Sequence, residues 1–215
     1  MSQDATFGQA THTLTLIDQQ KPSTQDLKVL HDGYLADLLR AIKLGKVPAR
    51  PDFQKFLGLV PELNVWRTLT LGQHGSPNAY RDALEFSGFR IGDYAGQILE
   101  KISVSQTPVE VDLVRVTVAD LGFKDGARCD AIYARAIELG LELCPAEVGP
   151  ALRLVYKEDT YTVVGMEPMI DSGDYWRVFN VYTDLGERVL GGDRGRPGGF
   201  WVGSDQWVFV RPRKS

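Results

Sequence analysis

Leu27, Leu30, Tyr34, Leu35, Leu38, Leu39 and Ile42 recur at spacings of three and four, which predicts a single amphipathic helix. Ser23 suits its N-cap, Asp26 favours the positive helix end, and Gly45 and Pro48 close it. A shorter helix is expected over 51–58, with Pro51 in its first turn and Pro61 beyond its end. Residues 1–22 are polar and rich in Thr and Gln. The alternation in "THTLTLID" fits a flexible lead or one edge strand.

Between 64 and 150 the pattern changes to strands followed by helices. "NVWRTLTLG" and "VEVDLVRVTVADLG" alternate or run apolar, as half-buried and buried strands do. Tyr80, Ala83, Glu85 and Gly88 match Tyr133, Ala136, Glu138 and Gly140 once Ser87 is taken as an insertion, and Leu71-Gly72 matches Leu121-Gly122. Ser76-Pro77 is a helix start, and Gly88 and Gly140 suit the left-handed residue past a helix end. These matches predict a duplicated unit of strand, helix, glycine turn and a second short helix or turn.

The last third reads as three strand pairs. "ALRLVYKEDTYTVVGMEPMI" turns around Lys157–Thr160, "YWRVFNVYTDLGERVL" at Asp184–Glu187, and "FWVGSDQWVFVRP" near Ser204–Gln206. Helices early and an antiparallel β-meander late place the chain in the α+β class. Three stretches follow: 1–22, a helical and duplicated strand–helix region over 23–150, and an antiparallel β region over 151–215. The last is expected to pack on the preceding part as one unit.

Composition narrows the function classes. The 215 residues are 43% hydrophobic and 24% charged, which excludes global disorder. A net charge of −4 gives no overall attraction to nucleic acid or anionic lipid. Two cysteines with no CxxC pairing argue against a disulfide framework and point to a reducing cytoplasm. The first residues lack the basic start and apolar run of a secretory signal, and no apolar run approaches the roughly 18 residues of a membrane span.

Candidate chemistry begins with "GGDRGRPGGFW", residues 191–201. Arg194-Gly195-Arg196-Pro197 resembles the core of an AT-hook, whose arginines enter the narrow minor groove of A·T-rich DNA. Asp193 before it and Gly198-Gly199 after it favour a strand–strand connection, and the same loop offers a backbone nest for an anion. A helix-turn-helix with Ala136 and Gly140 at its turn and "CPAEVGPALR" as its recognition helix is disfavoured by Gly149-Pro150 in that helix, and acids outnumber Lys and Arg by 8 to 5 over 101–150. At the C-terminal end, Trp207 beside Arg211, Arg213 and Lys214 is the pattern that stacks single-stranded bases, unless Trp207 is the core face of the last strand.

Catalytic signals are sparse. Cys144, before Pro145 at a helix start, is a candidate nucleophile, but His12, His31 and His74 form no motif that supplies its base. Glu167, set between apolar residues in "GMEPMI", is a candidate raised-pKa acid. No spacing indicates a metal site: Asp120, Asp125 and Asp130 lack the alternation of a calcium loop, and no phosphate-binding glycine motif occurs. No residue is assigned as catalytic, and no cofactor is expected.

The runs "IYARAIELGLELCPAEVGPALRL", "VPELNVWRTLTLG" and "FWVGSDQWVFVRPRK" resemble a family of bacterial hypothetical proteins and cover most of the chain. That resemblance implies a freestanding, bacterial-type cytoplasmic protein and carries over no functional residue. The favoured reading is a non-enzymatic binding or regulatory module acting through protein contacts, with no membrane association. The alternatives are nucleic-acid binding through Arg194, Arg196, Trp207, Arg211, Arg213 and Lys214, and an enzyme using Cys144 or Glu167.

Overall fold

The computed structural model describes residues 7–49, 52–53, 56–57 and 63–213. The chain divides into two compact units, Met1–Leu57 and Gly58–Ser215. In the first, α1 (Phe7–Gln19) replaces the expected lead or edge strand. The Thr/Leu alternation of "THTLTLID" was the misleading signal, because Leu14 and Ile17 also lie three apart on one side of a helix. α2 (Thr24–Val29) starts at Ser23, whose hydroxyl accepts from the Asp26 N–H while the Asp26 carboxylate accepts from the Ser23 N–H: a complete capping box. The single helix expected over 23–45 is broken by a kinked turn, Leu30–Tyr34, in which Gly33 takes φ 111°. It resumes as α3 (Leu35–Lys43). The short helix expected over 51–58 falls largely outside the described residues.

The second unit is α+β. Its main sheet is mixed, in the order β1-β3-β10-β5-β7-β8-β2, with β6 paired to β7. The strands are β1 (Arg67–Leu71), β2 (Arg90–Ile91), β3 (Val109–Thr117), β5 (Thr162–Val164), β6 (Met169–Ile170), β7 (Trp176–Asp184), β8 (Glu187–Arg194) and β10 (Gln206–Arg211). β4 (Ala127–Arg128) and β9 (Phe200–Trp201) form a separate small ladder. The hairpin turn at Asp184–Glu187 lies where its residues place it, with Leu185 and Gly186 both left-handed. The meander does not hold throughout. β10 returns between β3 and β5, antiparallel to one and parallel to the other, and β9 pairs β4 instead of β10. The first strand expected after 150 is instead part of helix α7 (Val148–Val155). Pro150 is its third residue, where the missing N–H falls among those that have no intrahelical acceptor.

Helices cover both faces of the sheet. α4 (Pro77–Phe86), α5 (Asp93–Leu99) and α7 pack on the face that carries Phe179, Val181 and Leu190. α6 (Cys129–Glu138) lies on the other, where Tyr133 meets Trp207 edge-on with ring centres 5.7 Å apart. The two glycines matched in the sequence do the same work. After α4 and α6, Gly88 (φ 74°) and Gly140 (φ 80°) are left-handed, and the following N–H reaches back to the Leu84 and Ala136 carbonyls. The parent strands β1 and β3 pair with each other, and the short segments after each glycine pair differently: β2 runs parallel to β8, while Glu142 bridges antiparallel to Val210.

Candidate functional site

β1 ends the sheet order, so one side of its backbone N–H and C=O row has no strand partner among the described residues. Beside that free edge runs α7, and the two wall a cleft of about 250 Å³. Arg67, Thr68, Leu69 and Thr70 form the strand side, Ala151, Leu154 and Val155 the helix side, and Gln73, His74 and Tyr80 one end. β1 is short and carries an arginine, features that restrain uncontrolled edge pairing while leaving the edge usable.

A buried carboxylate fixes this geometry. Glu147, 1% exposed at the start of α7, accepts from the Gly72 N–H at 2.7 Å and the Tyr80 hydroxyl at 2.8 Å through Oε1. Its Oε2 accepts from the Ser105 N–H at 2.8 Å. One side chain thereby joins the end of β1, helix α4 and the loop before β3 to α7. Burial alone would raise its pKa, but the N–H groups of Gly72 and Ser105 and the Tyr80 hydroxyl outweigh burial and hold it below the ordinary range. Tyr80 is pushed up, by burial and then by Glu147, and so stays a neutral donor. Gly72 is left-handed (φ 75°), and a Cβ there would overlap the Thr107 carbonyl. His74 packs against Tyr80 with ring centres 4.6 Å apart, at the mouth of the cleft.

The residues singled out in the sequence fall elsewhere. Trp207 is fully buried against Trp201, Tyr133 and Phe209, so it offers no face to a base. Arg213 is held by Asp112 through two hydrogen bonds of 2.8 and 2.7 Å and by Glu110 at 2.7 Å. The Arg213 hydrogen bonds, with Thr68, lower Asp112 to about 2. The register runs Trp207–Val163–Asn180–Gly191 across one face, which puts exposed Arg211 on that face and Arg194 on the opposite one. Arg194 lies over the Tyr175 ring at 5.2 Å, Arg196 is exposed, and Lys214 lies outside the described residues. Loop 195–199 turns backbone carbonyls toward α6: Gly199 and Pro197 accept from the Cys129 and Asp130 N–H groups at 2.8 and 3.0 Å. It therefore occupies the helix end where an anion would otherwise sit.

Cys144 is 3% exposed, directed at the Val208 carbonyl, and its thiol is pushed up by burial. Cys129 is raised to about 11, chiefly by burial. Glu167 is exposed. Both thiols should therefore be silent to Ellman's reagent in the native protein at pH 8 and titrate fully in denaturant. A native thiol that reacts within minutes would contradict this placement. Among the described residues no group of three His, Cys, Asp or Glu side chains is arranged to hold a metal, and no helix is long and apolar enough to cross a membrane.

No family model matches the chain, and neither the curated proteins nor the solved structures yield a match.

Proposed function

We propose that the protein is a protein-binding module that takes an extended peptide segment into the cleft between β1 and α7 as an added strand. One observation carries the reading: the edge of β1, unpaired among the described residues, is one wall of a cleft whose other wall is a helix presenting exposed Val155 and half-buried Leu154. An added strand would satisfy the free backbone groups of β1, and its side chains would rest on Leu154 and Val155. The Glu147 knot supports this by holding both walls before a partner arrives, which lowers the ordering cost of binding. The two buried free thiols suit a reducing compartment, so we place the module in the cytoplasm, in keeping with the bacterial-type protein that the resemblance implies.

The test is selection of binding decapeptides from a random display library, followed by amide chemical-shift mapping. Shifts concentrated on Arg67–Leu71 and Ala151–Val155 are expected. Val155 is 43% exposed, so Val155→Asp should weaken the selected peptides at least tenfold while leaving the melting temperature within a few degrees of wild type. Peptides that map to another surface, or that bind Val155→Asp unchanged, would refute the reading.

A further inference from the structure

We infer that the segment taken up beside β1 carries an acidic side chain that pairs with Arg67, with an apolar residue two positions away resting on Leu69. This rests on the peptide-docking reading above and names the chemistry that the cleft selects.

The cleft's charge is the first ground. The chain as a whole is acidic, at −4, yet among the described residues the cleft lining holds an arginine and a histidine and no carboxylate. Two guanidinium groups flank the Trp66 ring, Arg115 at 4.4 Å and Arg67 at 5.2 Å. Arg115 is neutralised by Glu158 at 2.8 Å, with Tyr156 as a further acceptor. Arg67 takes part in no ion pair among the described residues, and its Nε is buried without a hydrogen-bond partner. Arg67 is half-buried in the cleft lining, and a carboxylate is the group whose geometry matches the outer N–H donors of an unpaired guanidinium.

Strand geometry supplies the second ground and decides between a side chain and a chain terminus. Arg67, Leu69 and Leu71 alternate onto one face of β1, the face that meets α7. A strand added to the free edge places every second side chain on that same face, opposite Arg67 and then opposite Leu69. The residue across from Arg67 meets the cation, and the residue across from Leu69 meets Leu69 and Leu154. The ligand is thus an extended segment with an acid and an apolar residue two apart, read on one face, in contrast to a free C-terminal carboxylate.

The experiment is the same decapeptide library selected in parallel on the full chain and on its Arg67→Glu and Arg67→Gln variants. Peptides are resynthesised with free and with amidated C-termini, and thermal melts of the variants check folding. Wild type should enrich Asp or Glu two positions from an aliphatic or aromatic residue, and amidation should leave affinity within twofold. Arg67→Glu should enrich Lys or Arg at that position. Arg67→Gln should bind the wild-type peptides at least tenfold more weakly and show no charge preference. Peptides that shift the β1 and α7 resonances without acidic enrichment would overturn the pairing and leave the docking reading standing. So would acidic enrichment that persists on Arg67→Glu, or affinity that depends on a free C-terminus. Selected peptides that bind away from β1 would overturn both.

Discussion

Replacing Glu147 with Ala is expected to lower the unfolding free energy by about 3–5 kcal/mol, read as a shift of the urea midpoint at unchanged slope. The carboxylate accepts from two backbone N–H groups and one phenol, and truncation leaves all three donors without an acceptor. Each stranded donor costs about 1–3 kcal/mol where water cannot reach it. Glu147→Gln should cost less, about 2 kcal/mol. Its amide oxygen can still accept from Gly72 and Tyr80, but its NH₂ then faces the Ser105 N–H, donor against donor. The pH dependence carries the sign of a lowered carboxylate. The contribution is fully present above the ordinary value of 4.5 and is lost as pH falls through the folded-state value below it. The gap between wild type and Glu147→Gln should therefore narrow in acid. A gap that stays constant from pH 7 to pH 3 would show that the ionised form is not what holds the knot. Because the same carboxylate fixes the β1 edge against α7, both variants should also weaken the proposed peptide docking.

Local chemistry was the part of this fold legible in the sequence. Ser23 and Asp26 cap where they stand because the capping box is written within four residues. Gly88, Gly140 and the Asp184–Glu187 turn are likewise decided by a few neighbours. The failures share another cause. The stretch following Gly149-Pro150, Ala151–Tyr156, is apolar but for Arg153, and periodicity does not separate a buried helix from a buried strand. β10 enters the sheet beside β3 and β5, a pairing across some 90 and 45 residues that no local pattern encodes. That insertion also buries Trp207 and brings Asp112 to Arg213. The cleft was hidden for the same reason. Arg67 is an ordinary strand residue until the topology leaves β1 at the sheet's end and lays α7 beside it. One signal was available: "NVWRTLTLG" places an arginine inside a short strand, a charge that suits an edge.

Arg153 carries the second large prediction. It is fully buried in α7, yet no carboxylate pairs with it among the described residues. Its guanidinium donates to the Tyr182 carbonyl at 3.1 Å, to the Val189 carbonyl at 3.5 Å and to that of Tyr156, between the Phe89 and Tyr156 rings. It thus closes the end of its own helix and ties α7 to the β7–β8 hairpin. Burial, with Arg188 nearby, lowers its pKa to about 10, which marks the charged form as strained by its surroundings. The geometry and the charge therefore pull in opposite directions, and substitutions separate them. Arg153→Ala should cost about 3–5 kcal/mol, because it opens a cavity and strands the carbonyls together. Arg153→Met should cost only about 1–2 kcal/mol, since it fills the space between the rings and removes a charge that is expensive to bury. Arg153→Lys should be worse than Met. It keeps the buried charge, but a compact ammonium cannot span carbonyls on a helix end and two strands at once. Urea denaturation of the three variants gives the order directly. Lysine close to wild type with methionine well below it would mean that positive charge, and not the fork of donors, is what the hairpin requires.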